Sequence, residues 1–378
     1  MLLAALAYGI AAITPGPPGD AFYRPPQPLP VLEDGALIWA RPLRGGAALP
    51  SAAVNELVLY ETTSSSNAPI AVSGTVAIPP GTPPPQGWPL IAWAHGTVGN
   101  APQCAPSRSS APNVEQRMLD GFVRLGYAVA QTDYEGNGTP GIHPYFVAAA
   151  SARDVTGIAL AARHVDPQIG RNWVAMGHSE GGAAALATAA LGQRLAPRLQ
   201  LAGAVAYAPL AFAQGVLQHE TLSDEPNAGL TIVALMIEGF ATVDPRIVPS
   251  EMLEPEAAAA LPELQKDCLD EVGRDSAWSR FPPRTIFAPQ AEGAVEALYG
   301  DLLANDPENF SIAVPTLLVQ GSADAAIDPR STLTVAQRLG RGGTPVTVKT
   351  YAGATHGSVL AESASDVAAW IARRLAGT

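Results

Sequence analysis

The feature that most limits what this chain can fold into is a change of rhythm at Trp88. From there, continuous apolar runs alternate with helix-length segments until Pro209, stop, and resume at Val314. Runs at 89–94, 127–132, 173–176 and 201–207 read as strands, with helices between them at 114–125, 145–165 and 180–191. After the break, 315–320 and 345–351 read as strands, and 331–339 and 358–375 as helices. Strands that are apolar on both faces need cover on both faces, and parallel neighbours need a connection long enough to hold a helix. The pattern therefore predicts an α/β fold, a mostly parallel central sheet with helices on both sides. Earlier segments at 36–41, 55–61 and 68–78 are rich in Val, Leu, Ile and Tyr and are separated by turn residues. They predict an antiparallel meander opening the sheet.

The break has its own character. Residues 209–311 are mainly helical in pattern, with 230–240 (LTIVALMIEGF) and 256–264 the clearest cases. This predicts a helical cap inserted into a core made of 20–208 and 312–378. Ahead of the core, residues 1–13 form an apolar run of signal-peptide length, with Ala5-Leu6-Ala7 as a cleavage candidate but no basic start. Residues 1–19 are thus either a secretory signal or an apolar arm packed on the body. No internal repeat is visible.

Composition excludes several roles. Apolar residues make up 47% of the 378, yet no further run reaches the roughly 18 residues of a membrane span, so stable membrane insertion is not expected. A net charge of −12, with Lys266 and Lys349 the only lysines, offers no basic surface for nucleic acid. Cys104 and Cys268 are the only cysteines, which excludes a CxxC metal or redox site. In an exported protein they would form one disulfide; otherwise they would be two buried thiols.

The motif that carries chemistry is Gly177-His178-Ser179-Glu180-Gly181, a G-x-S-x-G between an expected strand and an expected helix. A serine hydroxyl is a weak nucleophile at neutral pH and needs a base beside it and an exposed, strained position. Small residues flanking Ser179 permit a tight turn at the sheet's edge. In this setting the acid and the base follow the serine in that order. Four of the six histidines, His95, His143, His164 and His178, precede Ser179, and His219 opens the helical insertion. His356 remains, in Gly353-Ala354-Thr355-His356-Gly357 after the last expected strand. Asp324 is the candidate acid because it stands just past the strand at 315–320. Its competitor Asp328 precedes Pro329 and reads as a helix cap. Donors for a developing oxyanion are expected from the backbone N–H of Glu180 and from Thr97, in His95-Gly96-Thr97-Val98-Gly99.

In the insertion, 230–240 is apolar on nearly every face, so it must be buried or must meet an apolar ligand. Leu230, Val233 and Ile237 are the candidate acyl-chain wall, with ordinary cap-to-core packing as the equal alternative. His178 and Glu180 read as structural neighbours of the nucleophile, and Trp93 as packing beneath the oxyanion loop.

Further segments carry a family resemblance. Ala21-Phe22-Tyr23, Trp93-Ala94-His95-Gly96-Thr97, Cys104-Ala105-Pro106-Ser107, Asp133-Tyr134-Glu135-Gly136, His143-Pro144-Tyr145 and the stretch 314–324, together with the serine motif, resemble the secretory lipases of the α/β-hydrolase fold and their bacterial esterase relatives. The resemblance runs over nearly the whole chain after the N-terminal segment. It implies ester hydrolysis, a helical cap, a Cys104–Cys268 disulfide and no metal or cofactor. The chain departs from the fungal relatives in lacking a second disulfide, and carries Glu180 where relatives often have Gln or Gly.

The expected protein is a secreted or periplasmic serine carboxylester hydrolase acting on small-molecule or lipid esters. A serine aminopeptidase or amidase is the alternative; it would want paired acidic residues for the substrate amine, and no convincing pair stands out, though the insertion is acidic at Asp267, Asp270 and Glu271. A non-catalytic binding protein is the third reading, disfavoured because every catalytic role has a candidate.

Overall fold

The computed structural model describes residues 13–222, 229–269, 272, 278 and 280–375. Of the expected signal or arm at 1–19, residues 1–12 thus lie outside the described residues, while Thr14 and Gly16 hydrogen-bond to Ala40 of the body; Asp270 and Glu271 also lie outside. The strands are β1 (Leu37–Pro42), β2 (Val54–Thr63), β3 (Pro69–Ile78), β4 (Trp88–Ala94), β5 (Ala128–Thr132), β6 (Ile169–His178), β7 (Gln200–Tyr207), β8 (Thr316–Gly321) and β9 (Val346–Tyr351). They form one sheet in the order β1-β2-β3-β5-β4-β6-β7-β8-β9. The pairs from β1 through β3 to β5 are antiparallel, and every pair from β5–β4 to β8–β9 is parallel.

Alternation along each strand sorts side chains into two layers. On β4, Leu90, Ala92 and Ala94 join one apolar cluster while Ile91 and Trp93 join the other; on β5, Ala128 and Ala130 face one way and Val129 the other. The first face is covered by α2 (Ala148–Val165) and α3 (Glu180–Leu195), the second by α1 (Val114–Arg124) and the helices Ser358–Glu362 and Ala364–Leu375. Asn113 caps α1 through a reciprocal bond with Gln116, which fixes where that helix starts.

The structure departs from the sequence expectations at a few ends. α2 starts at Ala148, not 145, because Phe146 lies at φ +65°, which no helix can include. The helix expected over 358–375 breaks at Ser363, whose hydroxyl donates to the Val359 carbonyl at 2.6 Å. The segment 256–264 splits into an α-helix Pro255–Ala260 and a 3-10 turn Leu261–Gln265, since Pro262 lacks the N–H to continue it.

Between β7 and β8 the chain leaves the sheet. It builds α4 (Ala213–Thr221), α5 (Gly229–Ala241) and further helices up to Glu292–Asn305. Their apolar cluster includes Tyr145, Phe146, Val147, Ala150 and Ala183, so the insertion sits on the α2 and α3 side, above the ends of the parallel strands. Cys104, in the loop after β4, is disulfide-bonded to Cys268 in the insertion, with Cα atoms 5.5 Å apart. The free-thiol alternative is thereby excluded. Among the described residues no helix is long and apolar enough to cross a membrane.

Candidate active site

Ser179 joins β6 to α3 at φ +58° and ψ −118°. A non-glycine residue there costs about 1–3 kcal/mol and persists only where its surroundings over-determine it. They do. Its N–H donates to the Tyr207 carbonyl at 2.9 Å, and its carbonyl accepts from the N–H groups of Gly182 at 2.9 Å, Ala183 at 3.2 Å and Leu210 at 2.9 Å. The flanking glycines are required by close approach: a Cβ on Gly177 would strike the Gly181 carbonyl, and one on Gly181 would strike that of Ala94. β6, α3 and the end of β4 thus meet without side chains between them, and Ser179 is turned into the cavity above.

His356 lies in the loop after β9 and lines the same cavity as Ser179. Its Nδ1 is 2.8 Å from Asp324 Oδ2 in the loop after β8. The Asp324 side chain is fully buried. Its Oδ1 accepts from the N–H groups of Ala326 and Ile327, each at 2.9 Å, and Oδ2 also accepts from Gln320 Nε2 at 3.0 Å. Burial pushes the carboxyl up, but the His356 bond and these backbone donors outweigh it and hold the group below the usual carboxylate range. Asp328 is exposed, caps the helix Pro329–Arg341 through the Arg330 N–H, and pairs with the Arg330 side chain.

The loop after β4 carries Gly96 and Thr97 to the cavity wall, where the Thr97 hydroxyl lies 2.9 Å from Tyr145 Oη. Glu180 opens α3, so its N–H is one of the helix-terminal donors without an acceptor inside the helix. Its side chain turns the other way. Glu180 Oε1 is 2.7 Å from His143 Nε2, both side chains are buried, and the His143 ring stacks on Tyr134. The carboxylate at 180 is therefore held against His143 and is not among the residues that line the cavity.

Beneath His356 lies a network that the sequence did not announce. His178 Nε2–H donates to the His356 carbonyl at 2.9 Å, and the two rings are 4.3 Å apart. His178 Nδ1 faces Glu115 Oε1 at 3.3 Å. Glu115 stands in the first turn of α1 and also accepts from the Gly96 N–H and from Trp93 Nε1–H, each at 3.2 Å. Burial raises this carboxyl, yet the His178 bond, the nearby histidines and the Gly96 N–H leave it below its ordinary value. An acid in the first turn of a helix is commonplace. Only the packing of α1 against β4 and β6 gives Glu115 these partners.

The cavity has a volume of about 490 Å³. Besides Ser179, His356, Thr97 and His178, its wall includes Val98, Leu210, Val216, Ile232, Leu269 and Ile327, so it is apolar around a polar floor. The candidate acyl wall needs correction. Leu230, Val233 and Ile237 are each 0% exposed, packed inside the insertion's cluster and closed to a ligand; on α5 it is Gly229 and Ile232 that line the cavity. Among the described residues, no group of three or more His, Cys, Asp or Glu could hold a metal ion.

The family model described as secretory lipase matches residues 104–378. Among solved structures, Candida antarctica lipase A in its closed state is 18% identical, with a TM-score of 0.72 over 92% of this chain and 85% of that one. The rice cell wall degrading esterase LipA from Xanthomonas oryzae is 19% identical, with a TM-score of 0.70 over 91% of this chain and 99% of that one. A putative hydrolase from Legionella pneumophila is 19% identical, with a TM-score of 0.72 over 88% of this chain and 98% of that one. These likenesses establish a lipase A-type α/β-hydrolase fold. A search of curated proteins finds no match.

Proposed function

The chain belongs to the secretory lipase family and is a carboxylic ester hydrolase, and from that premise we propose that it cleaves esters through an acyl-enzyme on Ser179. The observation that carries this reading is one arrangement. Ser179, strained at the β6–α3 turn, shares a cavity with His356, and Asp324 sits 2.8 Å from the far nitrogen of that imidazole.

In this mechanism His356 Nε2 takes the proton from Ser179 Oγ as the oxygen attacks the ester carbonyl. Asp324 accepts from Nδ1–H, which sets the tautomer and stabilises the imidazolium that forms. The N–H groups of Thr97 and Glu180 receive the oxyanion of the tetrahedral intermediate. His356 then returns its proton to the departing alkoxide, leaving an ester between Ser179 Oγ and the acyl group. Water, deprotonated by the same histidine, attacks that ester, and His356 returns the proton to Ser179 Oγ as the acid leaves. The apolar wall from Leu210, Val216, Ile232 and Ile327 supports an acyl chain as the group held above the serine. The helices between β7 and β8 act as the cap that closes this chamber. The family's secretory character and the Cys104–Cys268 disulfide fit an extracellular protein, and we assign the chain to an exported compartment.

Ser179→Ala should lower kcat on a p-nitrophenyl ester by at least about 1,000-fold. It should not lower the melting temperature, because alanine removes only the hydroxyl from a strained turn. Turnover within tenfold of wild type would end the mechanism. A series of p-nitrophenyl esters from short to long acyl chains, below and above micelle formation, then separates esterase from lipase behaviour.

A further inference from the structure

Resting on Ser179 and His356 as the reacting pair, we infer that Glu115 and His178 form a positioning relay that sets the main chain of His356 and the oxyanion loop from one buried carboxylate. The relay crosses three segments distant in sequence. Glu115 on α1 holds Gly96 N–H, one residue before Thr97, and holds the His178 ring; the ring's other nitrogen holds the His356 carbonyl. Asp324 orients the His356 side chain, and this second acid–imidazole pair orients its backbone.

Donor and acceptor chemistry makes the residue types specific. The His356 carbonyl can only accept, so His178 Nε2 carries a proton. The Gly96 N–H and Trp93 Nε1–H can only donate, so both Glu115 oxygens act as acceptors. The remaining contact, Nδ1 to Oε1 at 3.3 Å, joins the ring to the carboxylate. A glutamine cannot replace Glu115 without turning its NH2 toward either Gly96 N–H or Trp93 Nε1–H. The His178 and Glu115 side chains are 9% and 13% exposed, so little water is available to substitute for a lost partner.

His178 and Glu115 are positioning residues, acting through the groups they hold, and their test must move something that a packing role would not. Full-length wild type is compared with H178Q, H178N and E115Q on a soluble p-nitrophenyl ester. Glutamine at 178 extends its amide to the Nε2 position and keeps a donor for the His356 carbonyl; asparagine stops at the Nδ1 position and keeps only the Glu115 side. Each retains one of the two hydrogen bonds, so their melting temperatures should fall by similar amounts. Their kcat values should part: H178N about 100-fold below wild type, H178Q about tenfold above H178N, with KM within about twofold for both. Equal kcat for the two variants, at equal folded fraction, overturns the relay. E115Q decides if neither folds. It should lose about 10–100-fold in kcat with KM unchanged, and a fluorophosphonate probe should label Ser179 slowly but to the wild-type endpoint. Wild-type kcat in E115Q also overturns the relay. Absence of labelling at Ser179 in the wild type would instead sink the acyl-enzyme reading itself.

Discussion

Asp324 is where pH acts most directly on a single residue of the site. Its carboxyl is buried, which raises it, but the His356 bond and the Ala326 and Ile327 N–H groups leave it below the ordinary range. A group depressed in the folded state stabilises the fold above its unfolded value, about 3.9 for Asp, and that contribution disappears as pH falls through the folded value. The unfolding free energy of wild type should therefore exceed that of Asp324→Asn by a constant amount above about pH 5, and the gap should close below about pH 4. Denaturant titrations of both proteins across that range check it; a gap as wide at pH 3 as at pH 7 would contradict it. Ser179, Asp324 and His356 could be nominated from sequence because chain order and strand ends leave few choices. Glu115 could not, since its meaning comes from α1 lying against Gly96, Trp93 and His178, and no local pattern encodes that meeting.

At the scale of the element, α5 separates packing from substrate contact within a few residues. Leu230 is fully buried, so Leu230→Ala should cost about 2–5 kcal/mol of stability and leave the preference for acyl length unchanged. Ile232 is partly buried and lines the cavity, so Ile232→Trp should leave stability within about 1 kcal/mol and cut kcat/KM for long acyl chains about tenfold more than for acetate. Rates over an ester series, with a melting curve for each variant, distinguish the two; a change of chain preference in Leu230→Ala would reverse the assignment. The sequence could not make this choice. A helix apolar all round has no moment to say which face is covered by protein and which by ligand. Strands were easier, because the runs at 89–94 and 127–132 are mainly apolar and both of the layers they feed are protein. Helix ends were harder: Phe146 at positive φ delays the start of α2, and the local bond from the Ser363 hydroxyl to the Val359 carbonyl marks a break that the apolar pattern does not show.

For the whole molecule, the rhythm of apolar strands and helices was enough to infer the sheet and where it is interrupted, but not how the interruption docks. Its apolar cluster takes in Tyr145, Phe146 and Ala183 from the α2 and α3 side, and the Cys104–Cys268 bond ties it to the loop after β4 across 164 residues. Closing so long a loop restricts the unfolded chain strongly. Removing the bond with Cys104→Ser and Cys268→Ser together should lower the unfolding free energy by about 3–5 kcal/mol, read from urea titration; a loss under about 1 kcal/mol would contradict it. The cavity that Ser179 and His356 share with Val216 and Ile232, from the helices between β7 and β8, is where the proposed acyl-enzyme would form. A millisecond acid quench of wild-type protein mixed with p-nitrophenyl acetate, followed by peptide mass analysis, tests it. Acyl-enzyme chemistry predicts one acetyl group on the peptide containing Ser179, absent from Ser179→Ala; hydrolysis at full rate with that peptide never acetylated, or acetylated elsewhere, would contradict it.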